Sequence, residues 1–238
     1  MLKTRELREL FHSPVFYIVT AIFIALSGYK FYSLLLSFVE NMSFYPDYVF
    51  GEELSSVMGA NAGAYIFPQL FMFYAYLCVM SVSVISMGIG HDRMLDLDKI
   101  ELLASRTSPL KLILRKVLAT FVAILFMLIP TLLYPAMLSL FSPVDWGVVL
   151  SSYVGLSMLV LLCAALVSIP GVFKLPQAVG VFLNLVILLS MHFYFFDPIL
   201  ASFFFGVIRA STVVFFFVLF IASLFLSLSF YKAVKTYK

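Results

Sequence analysis

The sequence predicts an all-α integral membrane protein with six transmembrane helices, and three observations predict it. First, of 238 residues 63% are hydrophobic and only 11% are charged, with a mean hydropathy of +1.11; a soluble domain would carry about a quarter charged residues. Second, six apolar runs approach the ~20 residues that a helix needs to cross a bilayer. Third, the basic residues gather beside alternate ends of those runs, as positive-inside bias requires. No polar segment is long enough to enclose a core of its own, so residues 1–238 are expected to form one membrane domain. The net charge of +3 and pI near 8.8 come from these flanking clusters and do not imply nucleic acid. Cys78 and Cys163 each lie inside an apolar run and read as small packing residues, with neither a disulfide framework nor a metal-type spacing.

At the start, residues 3–12 (KTRELRELFH) place Leu7, Leu10 and Phe11 on one helical side and Arg5, Glu6, Arg8 and Glu9 on the others. Such a segment suits an N-terminal helix lying in the membrane interface, or a plain charged flank. Its first apolar run is too long for a signal-peptide core and lacks a small-residue cleavage site, so it reads as a retained span. Ser13-Pro14 opens span 1 (15–36), since Ser can cap and Pro is tolerated at the first helical position. Lys30 lies in the outer part of this span and is expected to snorkel to the far interface. Residues 40–62 hold Glu40, Asp47, Glu52 and Glu53 and no Lys or Arg, as a translocated loop can.

Span 2 (63–88) leads into the one densely charged stretch, His91 to Lys116. Ser108-Pro109 then opens span 3 (111–141), in which Pro130 and Pro135 predict a kink near the outer end. Ser142-Pro143-Val144-Asp145 has the form of a cap with an acid three residues on, the start signal for span 4 (148–169). A short loop with Lys174 precedes span 5 (178–196). Asp197-Pro198 caps the apolar segment ILASFFFGVI, too short to cross, and Arg209 precedes span 6 (211–231). A short apolar segment between two spans predicts a re-entrant or interfacial helical insertion.

Orientation follows from the charges. With the N-terminus inside, thirteen of the fifteen basic residues fall on the cytoplasmic side, and only Lys30 and Arg209 on or near the outside. Both termini are therefore expected in the cytoplasm.

From Asp92 to Lys116, across the loop 91–110 and into the next helix, the acids come first (Asp92, Asp96, Asp98, Glu101) and the bases last (Arg106, Lys111, Arg115, Lys116). That order suits the helix dipole if 96–104 is one short helix and another begins at 109. Leu95, Leu102 and Leu103 give the first helix an apolar side, which can dock in a groove on a partner protein or rest on the membrane interface; pattern alone leaves both open. Lys111, Arg115 and Lys116 read as a lipid-headgroup anchor at the foot of span 3.

The segment IELLASRTSPLKLILRKVLA at 100–119 resembles the region after the second span of ABC-2 type permeases, the membrane subunits of one class of ATP-binding-cassette transporters. The family pattern of a Glu, a leucine-rich turn, a Pro-x-Ser element and a Lys entering span 3 is similar to Glu101, Leu102 and Leu103, Ser108 and Lys116. ELRELFHSPVFYIVTAIFIALSGYKFY at 6–32 also resembles the start of such permeases, notably the gliding-motility and copper-processing type. The chain departs from the pattern where Asp98-Lys99 replaces Gly-Thr and Arg115 replaces the Gly before the Lys. The resemblance implies a subunit that pairs with a second permease chain and with two cytoplasmic ATPases. Residues 92–107 would be the coupling helix, with Asp92, Asp96, Asp98, Glu101, Leu102, Leu103 and Arg106 facing the ATPase. The chain contains no GxxxxGK[ST] loop, so ATP and Mg would be held by the partner, and no cofactor by this chain.

Enzyme chemistry finds little support. His12, His91 and His192 lie on different segments, and Glu52-Glu53 lacks the following residues of a membrane protease. Gln69, Asn184 and His192 are the polar groups within spans that could face a substrate path. For Asn184 an interhelical hydrogen bond is the simpler expectation; for His192, interfacial hydration at the outer end of span 5. The alternative to a transporter is a non-transporting membrane scaffold that holds or energises a surface or motility machine.

Overall fold

The computed structural model describes residues 11–44, 62–90, 109–169, 177–192 and 197–236. Every regular element among them is helical: α1 (Pro14–Phe44), α2 (Ala62–Gly90), α3 (Pro109–Leu128), a 3-10 turn (Ile129–Leu132), α4 (Leu133–Leu138), α5 (Trp146–Val167), α6 (Gln177–Met191), α7 (Asp197–Phe204) and α8 (Ala210–Thr236). Long helices are what hydrocarbon demands, because each main-chain N–H and C=O is then bonded within its own segment. Hydroxyls inside the helices follow the same rule. Thr20 Oγ1 donates to the Phe16 carbonyl at 2.7 Å, and Ser83 Oγ to that of Val79 at 3.0 Å.

The core is built on α2 and α5. α2 packs against α1, α3, α5, α6 and α7, while α5 also meets α3, α7 and α8. Ile66, Leu70, Phe71, Tyr74 and Val79 of α2 and Leu156, Leu159 and Val160 of α5 are fully enclosed. α1 and α8 are peripheral and expose long apolar faces, including Ile22, Tyr29 and Leu36 on one and Val214, Phe217 and Phe225 on the other. In water such faces would aggregate; in a bilayer they are the lipid-facing surface.

Helix boundaries follow local chemistry. α1 begins at Pro14, with the Phe16 amide donating to the Ser13 carbonyl at 3.2 Å. Three residues before this start, the Phe11 ring meets Phe16 edge-on at 5.0 Å and Phe126 of α3 at 5.5 Å. Pro130 and Pro135 remove two main-chain donors, and α3 tightens there into the 3-10 turn before continuing as α4. The start of α5 differs from expectation. Asp145, not Ser142, is its cap: the carboxylate accepts from the Gly147 amide at 2.8 Å and the helix begins at Trp146. The Ser142 hydroxyl is buried with no hydrogen-bond partner among the described residues. Asp145 adopts an extended conformation (φ −78°, ψ 98°), the geometry an N-cap needs, and the acid thus serves as the cap itself.

Among the described residues, five helices are long and apolar enough to cross a membrane. The run expected as span 5 is α6, of 15 residues, about 22 Å at 1.5 Å per residue and shorter than the ~30 Å hydrocarbon layer. Residues 193–196 of that run lie outside the described residues. α7 follows as a helix of eight residues. It is pinned to α5 by Ser151, whose Oγ reaches the Phe203 carbonyl at 2.8 Å, with Ser152 Oγ at 3.4 Å. Gly155 lets the two helices meet: a Cβ there would stand 2.8 Å from Phe203 Cβ. Gly206, at φ +83°, turns the chain out of α7, a conformation that glycine adopts without penalty.

Candidate functional site

Asp92, Asp96, Asp98, Glu101, Leu102, Leu103 and Arg106, the expected coupling residues, lie outside the described residues, as do most of the N-terminal segment 3–12 and the loop around Lys174. All three residues of the expected anchor lie in α3. Lys111 is exposed, and Arg115 and Lys116 are half-buried, in the first two turns of α3. Their bases stand at the foot of an otherwise apolar helix, where headgroup phosphates can meet them.

The three polar groups considered for a substrate path divide into two places. Asn184 and His192 share a stripe on α6 with Gly180 and Leu188, all buried, and four-residue spacing turns that stripe onto α2, the helix against which α6 packs. The Asn184 side-chain Nδ2 has no hydrogen-bond partner among the described residues. His192 is fully enclosed, its ring edge-on to Tyr76 at 4.4 Å and 89°. Burial against α2, rather than the expected interfacial hydration, therefore sets the His192 environment. Gln69 faces outward from α2, and its Nε2 reaches only the Tyr65 carbonyl one turn back, at 3.4 Å. Gln69 thus does not join the other two.

A second polar group of residues has no counterpart in the sequence reading. Tyr74 of α2, Thr131 and Tyr134 of the proline-bent segment, Tyr153 of α5 and Ser27 of α1 converge in the bundle. Thr131 Oγ1 lies 2.7 Å from both the Leu128 carbonyl and Tyr153 Oη. The single threonine proton goes to the carbonyl, so Tyr153 donates to Thr131. Tyr134 Oη stands 3.4 Å from Ser27 Oγ and from the Ile24 carbonyl, over Gly28. The Phe71 ring meets Tyr74 at 5.7 Å and Tyr153 at 5.2 Å, both edge-on. Tyr74 Oη is buried without a hydrogen-bond partner among the described residues. Aromatic runs do not announce such a cluster, because the same letters serve for lipid-facing surface. At the other end of the bundle Ser168 and Ser227 join α5 to α8 at 2.7 Å.

Chemically, the hydroxyls of Ser27, Thr131, Tyr134, Tyr153, Ser168 and Ser227 are interhelical pins whose protons go to main-chain carbonyls or to one another, and Tyr74 Oη stands apart from them. Among the described residues no group of three or more His, Cys, Asp or Glu is placed to hold a metal ion. Cys78 and Cys163 are both fully buried and free of disulfide.

Apolar helices packed on two buried ones, with serine and threonine hydroxyls bonded back to the main chain of their own helices and bases at a helix foot, define an all-α, multi-pass membrane protein. Comparison of the chain with protein-family models, with curated proteins and with solved structures finds no match in any of the three.

Proposed function

We propose that this chain is the permease subunit of an ABC-2 type transporter, coupling ATP hydrolysis on a separate cytoplasmic ATPase to export of a substrate across the cell membrane. One observation carries the reading: a charged insert of residues 92–107, lying in the sequence between α2 and α3, with the segment 100–119 resembling the coupling region of that family. Supporting features are the helix start at Ser13-Pro14 and the short helix α7 between the last two apolar runs. In this reading α6 is the inner part of a sixth span and α7 is re-entrant, and both termini are cytoplasmic by the distribution of thirteen of fifteen basic residues. Two ATPases grip the insert of this chain and of a second permease chain. Their ATP-driven closure tilts the spans around the shared interface. No phosphate-binding loop lies in this chain, so nucleotide and Mg belong to the partner.

The test is co-expression with the ATPase, purification and ATP turnover in liposomes. A stable complex whose ATPase activity rises with a transported solute or lipid supports the permease. No association with any ATPase removes that reading, and association without movement of any solute or lipid assigns the scaffold role instead.

A further inference from the structure

A tyrosine enclosed in a helix bundle carries one proton that must find an acceptor, or its burial is costly. Tyr74 of α2 is fully enclosed, yet its Oη has no hydrogen-bond partner among the described residues. The neighbours of this hydroxyl are themselves hydroxyls. The Phe71 ring touches both Tyr74 and Tyr153, at 5.7 and 5.2 Å. The hydroxyls of Tyr74, Tyr153 and Tyr134 also interact electrostatically in all three pairings. Three phenol oxygens from α2, α4 and α5 therefore converge on one part of the bundle.

Their protons and lone pairs can be counted. Ser27 Oγ gives its proton to the Ile24 carbonyl at 2.9 Å, and Thr131 Oγ1 gives its own to that of Leu128 at 2.7 Å. Tyr153 accordingly donates to Thr131 at 2.7 Å. Tyr134 donates to Ser27 Oγ or to the Ile24 carbonyl, both at 3.4 Å. Each of these two phenols has placed its proton and receives none, so Tyr153 and Tyr134 both keep an unused oxygen lone pair. Tyr74 is the reverse case, a proton without an acceptor. Among the described residues no direct hydrogen bond joins any two of the three phenols. One donor and two acceptors are left unmet.

The molecule that accepts one hydrogen bond, gives two and is small enough to stand among three phenols is water. We propose that one buried water bridges Tyr74, Tyr134 and Tyr153, taking the Tyr74 proton and donating to the other two oxygens. Three bonds are the usual complement of a buried water. Through it Tyr74 of α2 joins the hydroxyl network that already ties α1 and α5 to the proline-bent segment. This inference needs only the helix packing and not the coupling to an ATPase, so either can fail alone.

Two measurements test it. The first is a structure from crystals of the full-length chain grown in lipid, at a resolution that shows ordered water. A single peak within hydrogen-bond distance of all three phenol oxygens is expected. No peak there, a peak that misses any of the three, or Tyr74 Oη bonded directly to a protein atom would overturn the proposal. The second is a double-mutant cycle read by reversible unfolding in mixed micelles. Tyr74→Phe is expected to lower the ratio of folded to unfolded protein about fivefold, the loss of one hydrogen bond. A dry hydroxyl predicts the opposite, because deleting an unsatisfied buried group leaves that ratio unchanged or raises it. Adding Tyr134→Phe separates a bridge from packing. The two hydroxyls share no direct bond, so their losses multiply unless something links them; with the water, the double variant should fall short of that product by about twofold or more. An unchanged or raised ratio in Tyr74→Phe, or simple multiplication in the double variant, would overturn the bridge. Where a variant fails to fold, the crystal structure of the unmodified protein decides.

Discussion

The contact between α5 and α7 gives the sharpest structural test. Gly155 sits inside α5, where alanine would ordinarily stabilise a helix by about 1 kcal/mol. Here the added methyl would lie 2.8 Å from Phe203 Cβ and 2.9 Å from its Cγ, distances that force α7 to shift. Overpacking of that kind costs about 1–3 kcal/mol. The same shift stretches the 2.8 Å bond from Ser151 Oγ to the Phe203 carbonyl, worth about 0.6–2 kcal/mol between membrane helices. The steric and hydrogen-bond losses together outweigh the propensity gain, so Gly155→Ala is expected to destabilise by about 1–3 kcal/mol. Gly28 is the control, because a Cβ there meets the Tyr134 hydroxyl at 3.1 Å, the far end of a side chain that can swing away. Gly28→Ala should be neutral or stabilising by a few tenths of a kcal/mol. Reversible unfolding in mixed micelles with increasing denaturing detergent measures both. Truncating the ring in Gly155→Ala/Phe203→Ala should not restore stability, since the nearest atom is the Cβ that remains. Gly155→Ala as stable as the unmodified protein, or rescued by Phe203→Ala, would refute the packing described for α7.

Tyr153→Phe removes the donor to Thr131, whose own proton is held by the Leu128 carbonyl; a loss of about 1 kcal/mol is expected in the same unfolding assay, and no loss would show that this bond is idle. In the insert 92–107, replacing Glu101 and Leu102 together by Gln and Ala should lower recovery of the proposed ATPase partner in pull-down at least severalfold while membrane insertion stays intact; unchanged recovery would place the coupling segment elsewhere.

Much of the helical plan was legible because hydrocarbon imposes a length and a composition, and Ser13-Pro14 and the Pro130–Pro135 pair act through the main chain alone. Legibility failed where a neighbour decides. Ser142 and Asp145 both belong to a valid cap pattern, and only the extended geometry at Asp145 selects between them. His192 falls near a helix end in sequence yet is enclosed by α2, which no window of its own residues reveals. The Tyr134–Ser27 approach joins residues 107 positions apart, and Tyr134 carries the same letter as the exposed Tyr29 and Tyr32. Lys30 was visible as a charge in a span, but the 6.0 Å approach of its ammonium to the Phe73 ring depends on how α1 packs on α2. The charge order of the insert 92–107 was plain in the sequence, whereas the residues that would grip an ATPase lie outside those described.

The permease reading depends most directly on which side of the membrane that insert occupies. Cysteines placed singly at Glu101 and at Leu102, in a background with Cys78 and Cys163 changed to Ala, can be tested with a membrane-impermeant thiol reagent on intact cells and on inverted membrane vesicles. Labelling is expected in the inverted vesicles alone, with protection when the ATPase is bound. Labelling of either cysteine from the outside of intact cells would contradict the orientation, and with it the proposed coupling to a cytoplasmic ATPase.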